Sequence, residues 1–527
     1  MASKDEEAEQ QKLCEPFEEE KQVRNLDEFI TLGWYCTLVL FSAEFMTLTS
    51  LSSMVYMVYA GISPTVTGCG SVVFNSSAEA CENLSALRKA FNCEPVIEYQ
   101  FKSVNVEFDL LCGESYLVKY SISLQMIGVL FGALISGQLS DRYGRKKVLI
   151  VSLIGVSFFS LATAFVFNFL QFTVLRVLVG LFTGGLSAVQ GVYLIENIPK
   201  RHRMWINTIV TWSPNFIIYP PIVYFCHDWR ILSLFTAFIS FVATVNMLFL
   251  NESPRWLIQH GKFDRARKVL AHMRKMDGKT CEKEAEDIEA MLVHEQDMFE
   301  QKQQKRKNYN FYHLVSTWKY FKWTVTVSLA VITASLVNYG LLFNMEKLSG
   351  SLYWNNANFG AIRWAVNIFV GVSDYFCKFV GRKVINMGAM ILIMAALAIV
   401  CILYSQDLQK EEAWVIRYCT IGVTAMTSQL YIATFMITSE LFPTAVRNIA
   451  VSALSVASRV GTIFAPQLFY LAEIWPVLPY LLLLVLSFLD CVCFQVFLPE
   501  TKGTNLENHM PAKKKRILNR KQSILEE

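Results

Sequence analysis

Charge is what this chain has least of. Asp, Glu, Lys and Arg make up 17% of its 527 residues, where an ordinary soluble protein carries about 25%. With 53% apolar residues, that scarcity excludes a soluble globular chain of this size. Histidine is scarce too. The seven are scattered, and no group of residues has the spacing of a metal site. There is no phosphate-cradling loop. Gly184-Gly185 lies inside an apolar run, where small residues serve close helix packing. No enzyme motif emerges, and no cofactor or metal is expected. The formal net charge of +4 gives no ground for a nucleic-acid partner. The first residues are acidic and polar, with no basic start and no small-residue cleavage site. A cleaved signal peptide is therefore not expected, and the first apolar run serves as a retained anchor.

What the chain has in abundance is apolar blocks about 20 residues long, the length that crosses a bilayer. Six spans are expected at 30–58, 116–139, 148–168, 172–195, 204–226 and 231–250. Six more are expected at 323–343, 359–380, 384–404, 414–438, 449–471 and 477–498. The expected organisation is a tail at 1–28, a six-helix bundle at 29–250 with a large loop at 61–113, and a helical linker at 251–322. A second six-helix bundle follows at 323–498, then a tail at 499–527.

Basic residues fall on one side of this arrangement. They occur in DRYGRKK (141–147), in PKRHR (199–203), through 255–322 and at 513–516. The positive-inside rule makes that side the cytosol and places both termini there. The 61–113 loop on the opposite side holds Cys69, Cys81, Cys93 and Cys112 and the sequons at Asn75 and Asn83. Disulfides and glycans suit an oxidising exterior, so a plasma-membrane glycoprotein is expected. Four cysteines allow three pairings, and the sequence does not choose among them. Asn251-Glu252-Ser253 also matches a sequon but lies on the cytosolic side. In the linker, Val269, Leu270 and Met273, then Ile288, Met291 and Leu292, have helical spacing. Gly278 separates the two helices, which either brace the gate or stay a solvated linker.

One signature is written twice. ENIPKRHR runs from Glu196 to Arg203, and ELFPTAVR from Glu440 to Arg447, each at the end of an apolar run. A charged hinge repeated across two membrane halves points to one half rocking against the other. Asp141, Arg145, Arg176, Glu196 and Arg203 are the candidate lock of the first half. Arg417, Glu440 and Arg447 are its counterparts in the second. Charges near membrane depth are costly unless paired; the bland alternative is that they only set topology.

GQLSDRYGRKK, the doubled Glu-x6-Arg, NESPRWLIQHGK and PETKG resemble the major facilitator superfamily. EFDLLC (107–112), DWR (228–230) and TSELFPTAVRN (438–448) narrow the resemblance to the organic-ion transporters of solute carrier family 22. It covers about 26–503. It implies an all-α membrane protein of twelve transmembrane helices in two pseudo-symmetric six-helix bundles, with a substrate cavity between them. The partners it implies are small organic ions, a counter-substrate or coupling ion, and the lipid bilayer.

The resemblance also bears on substrate charge. Arg459 sits in VASRVGTIFAP, where anion-carrying members have an arginine; carnitine-type members have one as well. Lys378 resembles a lysine of the anion carriers, or is an interface cation; Gly381-Arg382-Lys383 follows it sooner than in the family. Glu44 is the opposing acid, free to pair with Arg459 or to attract a cation, or else lies near the external end and does neither. Tyr339, Tyr224, Tyr431 and Phe435 are candidate cavity aromatics, useful for amphipathic ions or simply packed. Asp490 is expected to be structural. The expected function is transport of organic ions, anions favoured. The alternatives are a cation or zwitterion transporter and, from another class, a non-transporting receptor or scaffold.

Overall fold

The computed structural model of the chain describes residues 24–74, 77–199, 202, 206, 212–278, 282–303, 311–315, 317–376 and 381–501. The first six long helices are α1 (Trp34–Ala60), α2 (Tyr116–Tyr143), α3 (Arg145–Thr163), α4 (Phe169–Asn197), α5 (Trp212–Cys226) and α6 (Trp229–Phe249). Three linker helices follow: α7 (Pro254–Gln259), α8 (Phe263–Met276) and α9 (Glu282–Gln303). The second set is α10 (Trp318–Leu342), α11 (Leu352–Phe376), α12 (Arg382–Ser405), α13 (Ala413–Leu441), α14 (Thr444–Phe464) and α15 (Leu478–Phe497). Among the described residues, ten helices are long and apolar enough to cross a membrane. α5 and α11 stand where the fifth and eighth spans were expected. α5 is described over only 15 residues and contains Pro220 and Pro221. α11 carries Asn355, Asn356, Arg363 and Asn367, which lower its hydropathy, and it starts at Leu352, earlier than expected.

Side chains set several helix starts. Asn168, Asp228 and Thr317 accept hydrogen bonds from the first-turn N–H groups of α4, α6 and α10. Small residues let α2 and α4 touch. A Cβ on Gly132 would lie 1.7 Å from the Leu181 carbonyl oxygen, and one on Gly184 2.1 Å from that of Val129. Without a hydrophobic drive between helices in lipid, such close backbone contact supplies the packing.

The loop before α2 is not purely helical. It contains an antiparallel sheet ordered β2 (Val72–Val73), β1 (Thr65–Cys69), β3 (Pro95–Glu98). Cys69 faces Val72 across a two-residue turn in which Gly70 takes φ 59°, the left-handed region such hairpins need. Of the three pairings, the structure has Cys69–Cys93 and Cys81–Cys112. The second ties the loop helix Ser77–Phe91 to the turn that opens α2. Glu107 anchors the loop's end. It accepts from Trp229 Nε1 at 2.9 Å and Arg230 Nε at 2.8 Å, while Arg230 also donates to the carbonyls of Ala164 and Val166. Burial works against the Glu107 charge, but the bonds from Arg230 and Trp229 outweigh it and hold the carboxyl below its usual range.

Three apolar clusters place the two bundles. One draws on both: Leu51–Ile62, Val118–Val129 and Phe216–Trp229 meet Ala334–Leu352, Phe359 and Leu468–Leu483. It lies toward the end carrying the 61–113 loop, the loop end. The second joins α1, α3, α4 and α6 to the linker helices, and the third is drawn from the second half alone. Both lie at the opposite, basic end. The bundles therefore share a core at the loop end and have separate cores at the basic end. The linker is packed: Leu270, Met273, Ile288, Met291 and Leu292 are buried, and Asp277 accepts from Thr31 Oγ1 and Tyr35 N of the first bundle. That favours a brace over a solvated linker.

Peptide mapping of the unreduced protein made in eukaryotic cells should recover Cys69–Cys93 and Cys81–Cys112, with glycans on Asn75 and Asn83. Asn83 is exposed; Asn75 lies outside the described residues. Scrambled pairs, or bare asparagines, would remove the support for an external loop.

Candidate functional site

The two charged hinges are built alike. In the first half, Glu252 accepts from the backbone N–H groups of Arg145 (2.9 Å), Lys146 (3.0 Å) and Ser253 (3.1 Å). In the second, Glu500 accepts from those of Arg382, Lys383 and Thr501, each at 3.0 Å. Each carboxylate thus occupies the positive N-terminus of a membrane helix, α3 or α12. The preceding glycine leaves room for it: a Cβ on Gly144 or Gly381 would come within 2.3 Å of the carboxylate. Burial pushes the Glu252 carboxyl up, against the pull of those N–H groups.

The arginine of each hinge then reaches the repeated glutamate. Arg145 pairs with Asp141, donates to Ser140 Oγ at 2.9 Å and lies 3.4 Å from Glu196. Arg382 lies 3.7 Å from Glu440, whose other oxygen accepts from Thr501 Oγ1 at 2.6 Å. Of the candidate lock, Asp141, Arg145 and Glu196 come together. Arg203 lies outside the described residues. Arg447 is half-buried, with Nε and Nη2 lacking hydrogen-bond partners among the described residues.

Arg176 and Arg417 do not belong to these locks. Twenty residues of α4 separate Arg176 from Glu196, about 30 Å of helix. Arg176 is fully buried, donates to Gln125 Oε1 at 3.2 Å and the Ser53 carbonyl at 2.8 Å, and lies 4.1 Å over the Tyr56 ring. Its place is structural. Arg417 starts α13 at the loop end, about 35 Å from Glu440 along the helix, and faces Gly350 and Tyr418. The match between halves fixes their order among the spans but not their depth.

At the loop end the bundles are latched. Lys119 of α2 donates to Glu346 at 3.1 Å and to the Phe343 carbonyl at 3.2 Å, and Glu346 also accepts from the Ser63 N–H at 3.1 Å. Tyr353 stacks on Tyr59 at 6.0 Å and donates to the Gln100 carbonyl at 3.0 Å. Tyr224 sits here too, 5.5 Å from Tyr353 and half exposed, at the seam rather than at mid-depth.

Mid-depth residues from both halves face one another between the bundles. Arg459 of α14 reaches into the first half, with Nη2 3.5 Å from Ser187 Oγ and Nη1 4.0 Å from Met54 Sδ. Arg363 of α11 lies 5.8 Å from the Phe216 ring and 5.7 Å from that of Phe359, beside the phenols of Tyr339 and Tyr431. Tyr431 donates to Ser335 Oγ, itself 2.8 Å from Ser458 Oγ. Glu44 accepts from Asn215 Nδ2 at 2.7 Å; Arg459 does not take it as a partner. Phe435 is half exposed. Lys378 lies outside the described residues.

Residues 45–511 match the family described as sugar (and other) transporter. The chain is 31% identical to human organic cation/carnitine transporter 2 over 409 residues, 77% of this chain and 70% of that one. It is 29% identical to solute carrier family 22 member 6-A of Xenopus laevis over 417 residues, 79% and 73% of the two chains. The chain belongs to solute carrier family 22 of the major facilitator superfamily. The fold agrees: the xylose transporter XylE of E. coli, in an inward-open conformation, superposes with TM-score 0.63 at 15% identity, over 89% of this chain and 98% of that one.

This family 22 chain is thus a multi-pass membrane transporter, not an enzyme, and the receptor or scaffold alternative gives way. Several residues at its hinges and seam escaped the sequence reading. Glu252 and Glu500 stand in the quoted NESPR and PETKG, but their role needs helix ends from distant segments. Arg363 and Lys119 carried a readable signal, since each is a charge inside an apolar span.

Glu346→Gln should loosen the loop end. Losing a charged hydrogen bond of this kind is worth about 1.5–3 kcal/mol, so modification of the buried Cys226 by a thiol reagent should rise roughly tenfold or more. An unchanged rate at Cys226, read by peptide mass mapping, would show that the latch is idle. At the basic end, Glu196→Gln and Glu440→Gln should each slow transport at matched surface abundance by unbalancing the two states. Normal flux in both would leave the charges only a topological role.

Proposed function

We propose that this transporter moves small organic anions across the plasma membrane by alternating access. The observation that carries the reading is a pair of arginines at mid-depth, Arg459 and Arg363, neither with a carboxylate partner among the described residues. A guanidinium stays charged in a cavity and holds a carboxylate with two parallel hydrogen bonds. Tyr339, Tyr431, Phe216 and Phe359 supply the apolar wall for the rest of an amphipathic ion. In this reading 29–250 and 323–498 are the two rocking bundles, the basic end and both termini are cytosolic, and the shared core at the loop end makes this the inward-facing state.

A cation or carnitine-type zwitterion is the second reading. It rests on Glu44, half-buried within α1, and on the name of the human relative, a cation/carnitine transporter. Against it, Glu44 already holds the Asn215 amide.

A flux screen with labelled organic anions, cations and carnitine in cells expressing the chain separates the two. Anion uptake should dominate. Arg459→Lys keeps the charge but loses the fork, and should weaken anion uptake by roughly tenfold, or about 1.4 kcal/mol; Arg459→Asp should abolish it. Arg363→Gln should weaken it comparably, and Lys378→Ala less. Normal anion uptake by Arg459→Ala, or a wild type that carries only cations, would transfer the site to Glu44.

A further inference from the structure

Away from the cavity, α12 and α15 pack together around polar groups that satisfy nothing. Asp490 and Asn386 are fully buried and Ser487 is 1% exposed. Among the described residues, both carboxylate oxygens of Asp490, both amide atoms of Asn386 and the Ser487 hydroxyl lack a hydrogen-bond partner. Five orphaned polar atoms on one helix pair are unusual, because buried polar groups are almost always paired.

The register brings them to a common depth on the two packed helices. Lys383 Nζ donates to the Gln495 carbonyl at 2.8 Å, and Gln495 Nε2 donates to the Lys383 carbonyl at 3.2 Å. The two helices run antiparallel, so Asn386 comes level with Val492, about 3 Å along the axis from Asp490. Ser487 lies one turn further. Charged groups from the packed elements sit elsewhere. Arg382 and Lys383 of α12 and Lys319 and Lys322 of α10 belong to the basic end, where Lys322 reaches the Phe497 ring. Tyr320 of α10 packs on Phe442 there. Tyr339 of α10 is beside Arg363, and Tyr404 of α12 packs on Tyr480 at the loop end. Tyr470 lies in the segment Ala465–Glu473. Cys491 and Cys493 flank Asp490 on its own helix. Among the described residues, no Lys or Arg forms an ion pair with the acid.

We propose that Asp490, with Asn386 and Ser487, forms a proton-binding site between α12 and α15, and that Asp490 holds the proton in this conformation. A bare carboxylate so placed is shut off from bulk solvent and has no counter-charge among the described residues. A neutral carboxylic acid and a primary amide are complementary: the acid hydroxyl donates to Asn386 Oδ1, and Asn386 Nδ2 donates to the acid carbonyl. One proton, taken from water when the helices part, satisfies two groups at once. A metal cation fits less well, because the helices are unbroken here and their carbonyls are already used.

The test uses the purified full chain and no substrate, so its outcome does not depend on the anion reading. Infrared spectra at neutral pH should show a neutral carboxylic-acid carbonyl band that Asp490→Asn removes. Because the folded state keeps a proton that the unfolded chain releases, stability falls as pH rises. The unfolding midpoint of the wild type should fall as pH rises above about 4, the usual Asp value, and fall less steeply in Asp490→Asn. Asn386→Leu should keep the band but shift its frequency, which covers the case that Asp490→Asn fails to fold. A band unmoved by both variants, or the same pH slope in wild type and Asp490→Asn, overturns the proposal. So does loss of the band on adding sodium at fixed pH, which would make the site a metal-cation site.

Discussion

Glu252 and Glu500 each follow the last helix of a bundle and reach back to the first turn of that bundle's third helix. A carboxylate there meets unsatisfied N–H groups and the positive end of the helix dipole together. The same clamp fixes where the neighbouring arginine points. Arg145 and Arg382 leave the backbone at the clamped turn, so holding the turn aims them at Asp141 and Glu196, or at Glu440. The charges of each network are therefore positioned by the chain segments that follow the last helix of each half, the linker in one half and the tail in the other. If these networks act as locks, motion of either segment is mechanically tied to its own.

The two ends are held by different physics. The loop end is joined by a broad apolar core with a few polar latches, of which Lys119–Glu346 is the most buried pair. The basic end relies on charge networks contained within each half. A shared apolar core is non-directional and re-forms readily, whereas a charge network has few satisfied arrangements. In the proposed inward-facing reading that difference suits a carrier: the closed end would be stabilised by area, and each half would stay rigid at the open end without the other.

The fold was legible because its signals were local or repeated. Apolar blocks of bilayer length, the doubled Glu-x6-Arg and the basic loops each needed only linear spacing. The site was less legible because depth and partners are not linear. Arg176 and Arg417 matched between halves by their place in the order of spans, yet each sits nearly a full helix away from the hinge assigned to it. Arg363 is a charge within α11, but linear spacing alone does not say that it faces the aromatic rings of both halves. The disulfide pairing needed the sheet, which brings Cys69 beside Cys93 and leaves Cys81 for Cys112. Tyr224 was read as a cavity residue, although the chain places it at the last turn of α5.

On the proposed inward-facing anion reading, the two arginines at mid-depth would make an empty carrier resist closing. While the basic end is open, water can screen Arg459 and Arg363, and the effective dielectric around them is high. Closing that end removes the water and raises the cost of each guanidinium. Aromatic rings and hydroxyls offset only part of it, because cation–π contacts at more than 5 Å are weak beside an ion pair. On the anion reading, a bound carboxylate supplies the missing counter-charge at the moment of closure. The substrate then binds the occluded state better than the open one, and that difference in affinity is the only means by which a ligand can shift a conformational equilibrium.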